Sequence, residues 1–329
     1  MKKFMNQPDT MLTESLQGFA AAHADLVSLH LEPNYLVRAK KAQNKVAVIS
    51  GGGSGHEPLH SGLLGYGMLD AVCPGYVFTS PSPDQMLAAA EAVECGKGVL
   101  FIVKNYAGDV MNFEMAAEML SCESATVLTS DDVAVENSTY TTGRRGVAGT
   151  VIVEKVVGSL AETGADLAAC KALGDRVNRR TASMGVALTS CTVPAAGKPT
   201  FDLGEQELEM GVGIHGEPGR RREAMRPADE IVADLVKAIL HELAPAPGNE
   251  ILLLVNGFAA TPLMELYLLY NSAARLLQSH GLIISRSLVG NYTTALDMAG
   301  ASITMCLLDD EIKQHWDSPV HTAALRWGM

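Results

Sequence analysis

The chain has 329 residues, 47% of them hydrophobic and 19% charged, with a formal net charge of −12. That length exceeds what one core ordinarily serves and points to two domains, while the acidic balance argues against nucleic acid as a partner, since phosphate backbones need a basic surface. No apolar run approaches the ~20 residues of a membrane span, and the opening MKKFMNQPDT lacks the apolar centre of a signal peptide, so a cytoplasmic protein is expected.

The first helix is predicted from about Asp9, with Leu12, Leu16, Phe19 and Ala20 on one face. KVAVIS (Lys45–Ser50) is a short apolar run entering a cluster of glycines, and reads as a buried strand followed by a functional turn. Ser82, Pro83 and Gln85 mark a helix start with a capping box. GVLFIVK (Gly98–Lys104) and ATVLTS (Ala125–Ser130) are further strands, and a helix is predicted from about Gly146 to Gly158 after TTGRRG. Strands alternating with helices imply a mostly parallel sheet covered on both faces.

A polar helical stretch ends near Arg180, and SMGVALTS (Ser183–Ser190) begins a different pattern. From Glu207 to Ile214 apolar residues alternate strictly with others, which predicts one strand. A helix over Pro227–Leu243, a strand over Ile251–Val255, a Thr261-capped helix opened by Pro262, and strands near 282–289 and 302–308 complete the chain. The domain boundary is expected near residue 182, giving domains 1–182 and 183–329. The scattered cysteines, without a C-x-x-C pair, fit reduced thiols in a reducing compartment better than disulfides or a zinc site.

Two loops repeat one combination of glycines, a histidine and a Glu-Pro: SGGGSGHEP (Ser50–Pro58) and GVGIHGEPG (Gly211–Gly219). The first matches neither common phosphate-binding glycine pattern, and by itself is as well read as a tight turn. It also spells H-E-x-x-H from His56 to His60, but Pro58 cannot sit inside the helix that a zinc peptidase needs, so no metal is expected. By strand parity His215 shares its side with Gly211 and Gly213, which should leave open space beside an imidazole able to act as base, ligand or nucleophile near neutral pH. In VKNYAGD (Val103–Asp109), Lys104 offers a donor and a charge. Spacing alone favours Asp109 as an ordinary helix cap. Arg144-Arg145 reads as a solvated helix start, with phosphate binding as the alternative, and Asp309-Asp310-Glu311 as solvated loop or helix-start residues.

At these segments, together with CPGYVFTSPSPD (73–84), DDVAV (131–135), GRRGVAGTV (143–151), CTVPAAGKP (191–199) and ATPLMELY (260–267), the chain resembles the substrate-binding (K) subunit of dihydroxyacetone kinase. The segments span almost the whole chain. The resemblance implies an α/β protein of two domains: an N-terminal three-layer α/β/α domain with a mostly parallel sheet, and a C-terminal two-layer α/β domain with a mixed sheet. It further implies a homodimer that binds a short-chain ketose at the domain junction. By the same resemblance, His215 bonds covalently to the ketose carbonyl carbon as a hemiaminal. His56 and Asp109 assist at the hydroxyl to be phosphorylated, and Gly53, Lys104 and Asp109 are substrate-binding positions. Ala107 stands where some relatives carry threonine.

No motif for nucleotide phosphates or magnesium is found in the 329 residues. The resemblance places ADP or ATP with magnesium on a separate nucleotide-binding L-type partner subunit, so this chain binds no cofactor of its own. Two alternatives accompany the dihydroxyacetone reading: a kinase subunit for a related ketose such as erythrulose, and a non-catalytic ketose-sensing coactivator.

Overall fold

The computed structural model describes residues 2–135, 143–217 and 219–329; Thr141, Thr142 and Pro218 of the motifs above lie outside them. Helix α1 (Met11–Ala22) buries Leu12 and Leu16, the face predicted for it. An antiparallel pair, β1 (Val27–Leu31) and β2 (Asn34–Arg38), leads to β3 (Ala47–Ser54). There follow β4 (Gly65–Tyr66), β5 (Ala71–Val77), α2 (Pro83–Val93), β6 (Val99–Lys104), α3 (Ala107–Met119) and β7 (Ser124–Thr129). The first sheet has the order β1-β2-β5-β3-β6-β7 and is parallel from β5 to β7. Its strands are apolar on both faces with period two. Ala47, Ile49, Val99 and Phe101 pack under α2 and α3, whereas Val48, Leu100 and Ile102 face the opposite way.

That opposite face meets α4 (Gly149–Glu162) and α5 (Leu167–Arg179). Helix α4 starts three residues later than the sequence suggested. Nearly all of its residues GTVIVEKVVGSLAE are buried, the polar Thr150, Glu154, Lys155 and Ser159 among the apolar ones, so the helix is enclosed on every side. It is enclosed because a second sheet lies across it. That sheet uses β8 (Thr181–Ala187), β9 (Glu207–Met210), β10 (Arg221–Ala224), β11 (Glu250–Gly257), β12 (Ile283–Gly290) and β13 (Gly300–Leu307) in the order β10-β9-β8-β13-β11-β12. Only β11 and β12 pair in parallel, so the sheet is mixed.

Parity again sorts the core. Ile251, Leu253 and Val255 face α6 (Ala228–Leu243) and α7 (Leu263–Ser279), while Leu252 and Leu254 join the cluster around α4. Helix α8 (Asp310–Asp317) is capped by Asp309, whose side chain accepts from the Ile312 N–H, in line with the helix-start reading of this acidic run. Finally β14 (Val320–Thr322) and β15 (Arg326–Trp327) extend β4 into a three-stranded sheet, returning the chain's end to its first half.

Two predicted elements differ in ways that matter for the site. The glycines after KVAVIS are not a turn: β3 continues through Gly51, Gly52 and Gly53, which pair with Cys73, Pro74 and Gly75 of β5. The alternating run from Glu207 to Ile214 is not one strand either. It stops at Met210 because Gly211 takes φ +80°, outside the extended region. Val212 and Ile214 are still buried, but in a loop packed on Phe258 and Ala295. Thr261 also serves a different purpose from the one predicted: its hydroxyl donates to Gly300 O and accepts from Gly300 N–H, tying the α7 entry to β13 instead of capping the helix.

Ile152 is fully buried on α4 between the sheets. Ile152→Ala should lower unfolding free energy by about 2–5 kcal/mol through lost burial and a residual cavity, measured by urea denaturation.

Candidate functional site

In parallel α/β sheets, functional loops lie beyond the carboxyl ends of the strands. Here β3 delivers His56, β5 delivers Phe78, and β6 delivers Lys104 and, one turn into α3, Asp109. From the second sheet, the loop after β9 delivers His215. Gly53, Phe78, Tyr106, Asp109, Asn112 and His215 line one cavity of about 510 Å³. A wider hollow of about 730 Å³ between α6 and α7 is lined by Val236, Leu240, Leu276 and prolines together with Lys237, His241 and His280, and holds no carboxylate.

The two histidines of the repeated signature meet. His56 Nε2 lies 3.1 Å from His215 Nε2, and their rings are edge to face at 4.7 Å. His56 Nδ1 is 2.8 Å from the Thr294 carbonyl, which can only accept, so this nitrogen carries the proton and His56 Nε2 presents a lone pair. On the other ring, His215 Nδ1 is 3.0 Å from Glu217 Oε1, and the His215 N–H donates to Glu217 Oε2. The Nε2–Nε2 contact is therefore a hydrogen bond when a single proton lies between the rings. Phe78 stacks on His56 at 5.0 Å and meets His215 edge-on, and Tyr106 closes another side of His215 at 4.6 Å. Phe78 holds φ +54°, an uncommon conformation for a bulky residue, at the point where its ring fixes both imidazoles.

Burial pushes the His56 imidazole well below its ordinary value, and the charges of His215 and Lys104 add to this, so His56 is neutral. Burial alone would raise the Glu217 carboxyl, but the His215 ring and the Arg145 guanidinium outweigh it and hold Glu217 down at about 2. Arg145 is fully buried, donating to Asp132 and to the Gly211 carbonyl. Neither sequence reading of Arg145 survives: it is not a solvated helix start, and it faces Glu217 from inside the protein. The space predicted beside His215 is also filled. A Cβ on Gly213 would collide with the Glu217 carboxylate and Arg145, so that glycine admits a charge network rather than a ligand. His215 nevertheless keeps 17% of its side-chain exposure in a site whose other charged groups are nearly sealed, which makes it the reachable ring.

Asp109 does not cap α3. The cap position is Tyr106, and Asp109 sits in the first turn with its side chain turned inward. Oδ2 lies 3.7 Å from Lys104 Nζ, whereas Oδ1 is buried with no hydrogen-bond partner. A buried acceptor left open at a cavity wall is costly, and its place beside the histidines suits a proton-accepting role. Lys104 is fully buried and donates to the Gly51 carbonyl at 3.1 Å. Gly52 makes room for it: at φ +152°, a Cβ there would fall on Lys104 Nζ.

The structure thus brings His56, Lys104, Asp109, Gly53 and His215 to one place. Sequence reasoning missed Glu217, although it stands two residues after His215 in the same motif. It also dismissed His60, which is buried at 2.9 Å from Lys104. No zinc-peptidase helix forms: His60 precedes a short 3-10 turn, Ser61–Leu63. Among the described residues no group of His, Cys, Asp and Glu could hold a metal ion, and no helix is long and apolar enough to cross a membrane.

A family model described as the Dak1 domain matches residues 17–324. The chain belongs to the Dak1 family. It is 47% identical, over the full length of both chains, to the dihydroxyacetone-binding subunit DhaK of the PEP-dependent dihydroxyacetone kinase of Escherichia coli K12. Among solved structures it is similar to the dihydroxyacetone kinase of C. freundii, with a TM-score of 0.88 and 34% identity over 99% of this chain and 60% of that one. A dihydroxyacetone kinase operon co-activator, Dha-DhaQ, matches with a TM-score of 0.88 and 34% identity over 94% of this chain and 96% of that one. The two sheets and the loops joining them are therefore those of the Dak1 fold.

Gly52→Ala should force Lys104 from its pocket and strain the strand, lowering stability by about 1–3 kcal/mol in denaturant titration.

Proposed function

We propose that this Dak1 chain is the dihydroxyacetone-binding subunit of a dihydroxyacetone kinase, a phosphotransferase with an alcohol acceptor. The observation that carries the reading is the shared cavity in which reachable His215 stands beside His56 and the open Oδ1 of Asp109. A three-carbon ketose has too few atoms for tight noncovalent binding, since each contributes at best about 1.5 kcal/mol. A reversible covalent bond supplies the missing hold and selects a carbonyl over an alcohol such as glycerol.

His215 Nε2 attacks the keto carbon. The C–N bond forms as the carbonyl π pair moves to oxygen, and that oxygen takes the proton held between the two imidazoles, giving a hemiaminal. Glu217 fixes the proton on Nδ1 and balances the charge left on the His215 ring. His56, neutral and tied to Thr294, receives or returns the proton as the bond forms or breaks.

Anchoring the central carbon leaves a terminal hydroxyl to face Asp109, with Gly53 as a further position at the cavity wall; Lys104, which the resemblance made a substrate-binding position, lies behind Asp109 and acts on it instead. Asp109 takes the hydroxyl proton as the oxygen attacks the terminal phosphorus of the donor in line. The old P–O bond breaks, and its electron pair leaves with the donor. The nucleotide and its magnesium would be held by an L-type partner subunit docked over the cavity, either as ATP taken up as donor or as ADP that a phosphotransferase protein recharges to the triphosphate before transfer. The PEP-dependence in the name of the Escherichia coli relative supports a partner recharged by a phosphotransferase protein over one using ATP.

The same reading makes the protein a cytoplasmic homodimer divided near residue 182. Exposed Leu263, Met264, Tyr267 and Leu268 on α7, with Ile283 on the edge strand β12, offer apolar surface for self-association. A cavity of about 510 Å³ also has room for a four-carbon ketose such as erythrulose. A ketose-sensing coactivator is the second reading, favoured by the likeness to Dha-DhaQ. It requires ketose binding without turnover when the partner subunit is supplied.

His215→Ala should abolish the ketose adduct, read as a mass shift after reductive trapping; an undiminished adduct would remove His215 as nucleophile. Asp109→Asn should keep the adduct but lose about 10²–10⁴-fold in turnover, measured as ketose phosphate formed with the nucleotide-bearing partner.

A further inference from the structure

Behind Asp109 the charged groups continue into the protein, away from the cavity. Lys104 Nζ is 2.9 Å from His60 Nε2, and His60 Nδ1 is 2.6 Å from Glu154 Oε1 on α4. None of the three lines the ketose cavity, and Lys104 and Glu154 are fully buried. The direction of the chain follows from Ser50. Its hydroxyl donates to the Ile102 carbonyl at 2.7 Å, so toward His60 Nδ1, at 3.1 Å, it can only accept. His60 Nδ1 therefore carries the proton and shares it between Ser50 and Glu154. His60 Nε2 is then an acceptor, and Lys104 is its donor. The three protons of a Lys104 ammonium have three acceptors around them: the Gly51 carbonyl, His60 Nε2 and Asp109 Oδ2.

We propose that Glu154, acting through His60, keeps Lys104 an ammonium beside Asp109 and is thus a positioning residue for the phosphoryl-transfer site. The inference rests on the kinase reading for the role of Asp109, but the Lys104 charge can be measured without it. Burial strongly disfavours this ammonium and lowers its pKa, while the negative charges of Asp109 and Glu154 raise it. The groups facing Lys104 are Asp109 from α3, His60 and His56 from the segment after β3, and, one step removed, Glu154 from α4. The two histidines are held neutral by burial, so the carboxylates are the compensating charges. Burial holds Glu154 up at about 8 even though the Lys104 charge draws it down, so its carboxylate forms above that pH, and there each end of the relay supports the other's ionised form. Without the Glu154 charge, Lys104 would lose its proton at lower pH. Asp109 would then face an amine in place of a cation.

The test uses Glu154→Gln, which retains an oxygen to accept from His60 and removes only the charge. The Lys104 Cε resonance in 13C-lysine-labelled protein, assigned by its absence in Lys104→Met, is titrated in the wild type and the variant. The Lys104 midpoint should fall by about half a pH unit or more in the variant. In the complete kinase, the alkaline limb of kcat/KM should move to lower pH by the same amount, whereas a merely structural defect would lower the profile without moving its limb. Glu154→Asp, which keeps the charge, should restore the limb towards its original position. An unmoved Lys104 midpoint overturns the proposal. If Glu154→Gln does not fold, His60→Gln cuts the same relay and must give the same downward shift, and an unmoved midpoint there is equally fatal. A shifted midpoint with normal turnover in Asp109→Asn would instead leave the relay standing and remove the role given to Asp109.

Discussion

The contact between the Nε2 atoms of His56 and His215 spans 159 residues of chain and joins the loop beyond β3 to the loop beyond β9. Each loop belongs to a different sheet, so neither histidine has its working partner until both sheets are in place. The 3.1 Å separation is held from both outer ends: Thr294 fixes the far nitrogen of His56, and Glu217 fixes that of His215. Because both outer nitrogens are spoken for, any proton between the rings can be given to a bound carbonyl without either ring turning.

Helix α4 makes that separation reproducible. It is buried on all sides, touching strands of the first sheet through one face and β8 and β13 of the second through another. A helix enclosed in this way has few packing alternatives, because dense interiors tolerate little change in volume. The same helix contributes Glu154, so the element that sets the spacing of the sheets also brings a carboxylate to the back of the site. The glycines of β3 have a related use. They run as a strand beside β5, past the end of the pairing with β6, and the absence of a side chain at Gly52 admits the buried Lys104 Nζ.

Charge in the site is arranged in two lines of opposite depth. One runs from Asp132 through Arg145 and Glu217 to His215, and ends at the reachable ring. The other runs from Glu154 through His60 and Lys104 to Asp109, and ends at the open Oδ1. Each terminates on an atom proposed to touch substrate, and each begins on a buried carboxylate. Low polarity around such pairs strengthens both the attraction and the cost of leaving one member alone, which favours keeping both lines complete.

Much of this was legible in the sequence, because some signals are local. Short apolar runs marked β6, β7 and β11, the Gln85 side chain accepts the Ser82 N–H as the capping box required, and the doubled glycine-histidine signature pointed to the two rings that meet. Alternation misled at Glu207–Ile214, since burial in a loop and burial in a strand leave the same apolar pattern, and a single positive φ at Gly211 separates them. Asp109 looked like a cap, because residue type and spacing cannot tell a side chain folded back on its helix from one turned into a cavity. Charge on Arg145 suggested solvent, and only its partners Asp132 and the Gly211 carbonyl explain its burial, while the burial of Glu154 against His60 left no signal that the sequence reading used. Element type and the identity of the two rings that meet were thus largely determined by the sequence, whose short-range periodicity and glycine placement act within a few residues. The pairing of those rings, and the depth of the charges behind them, were decided by the tertiary structure, because both depend on contacts between segments far apart in the chain.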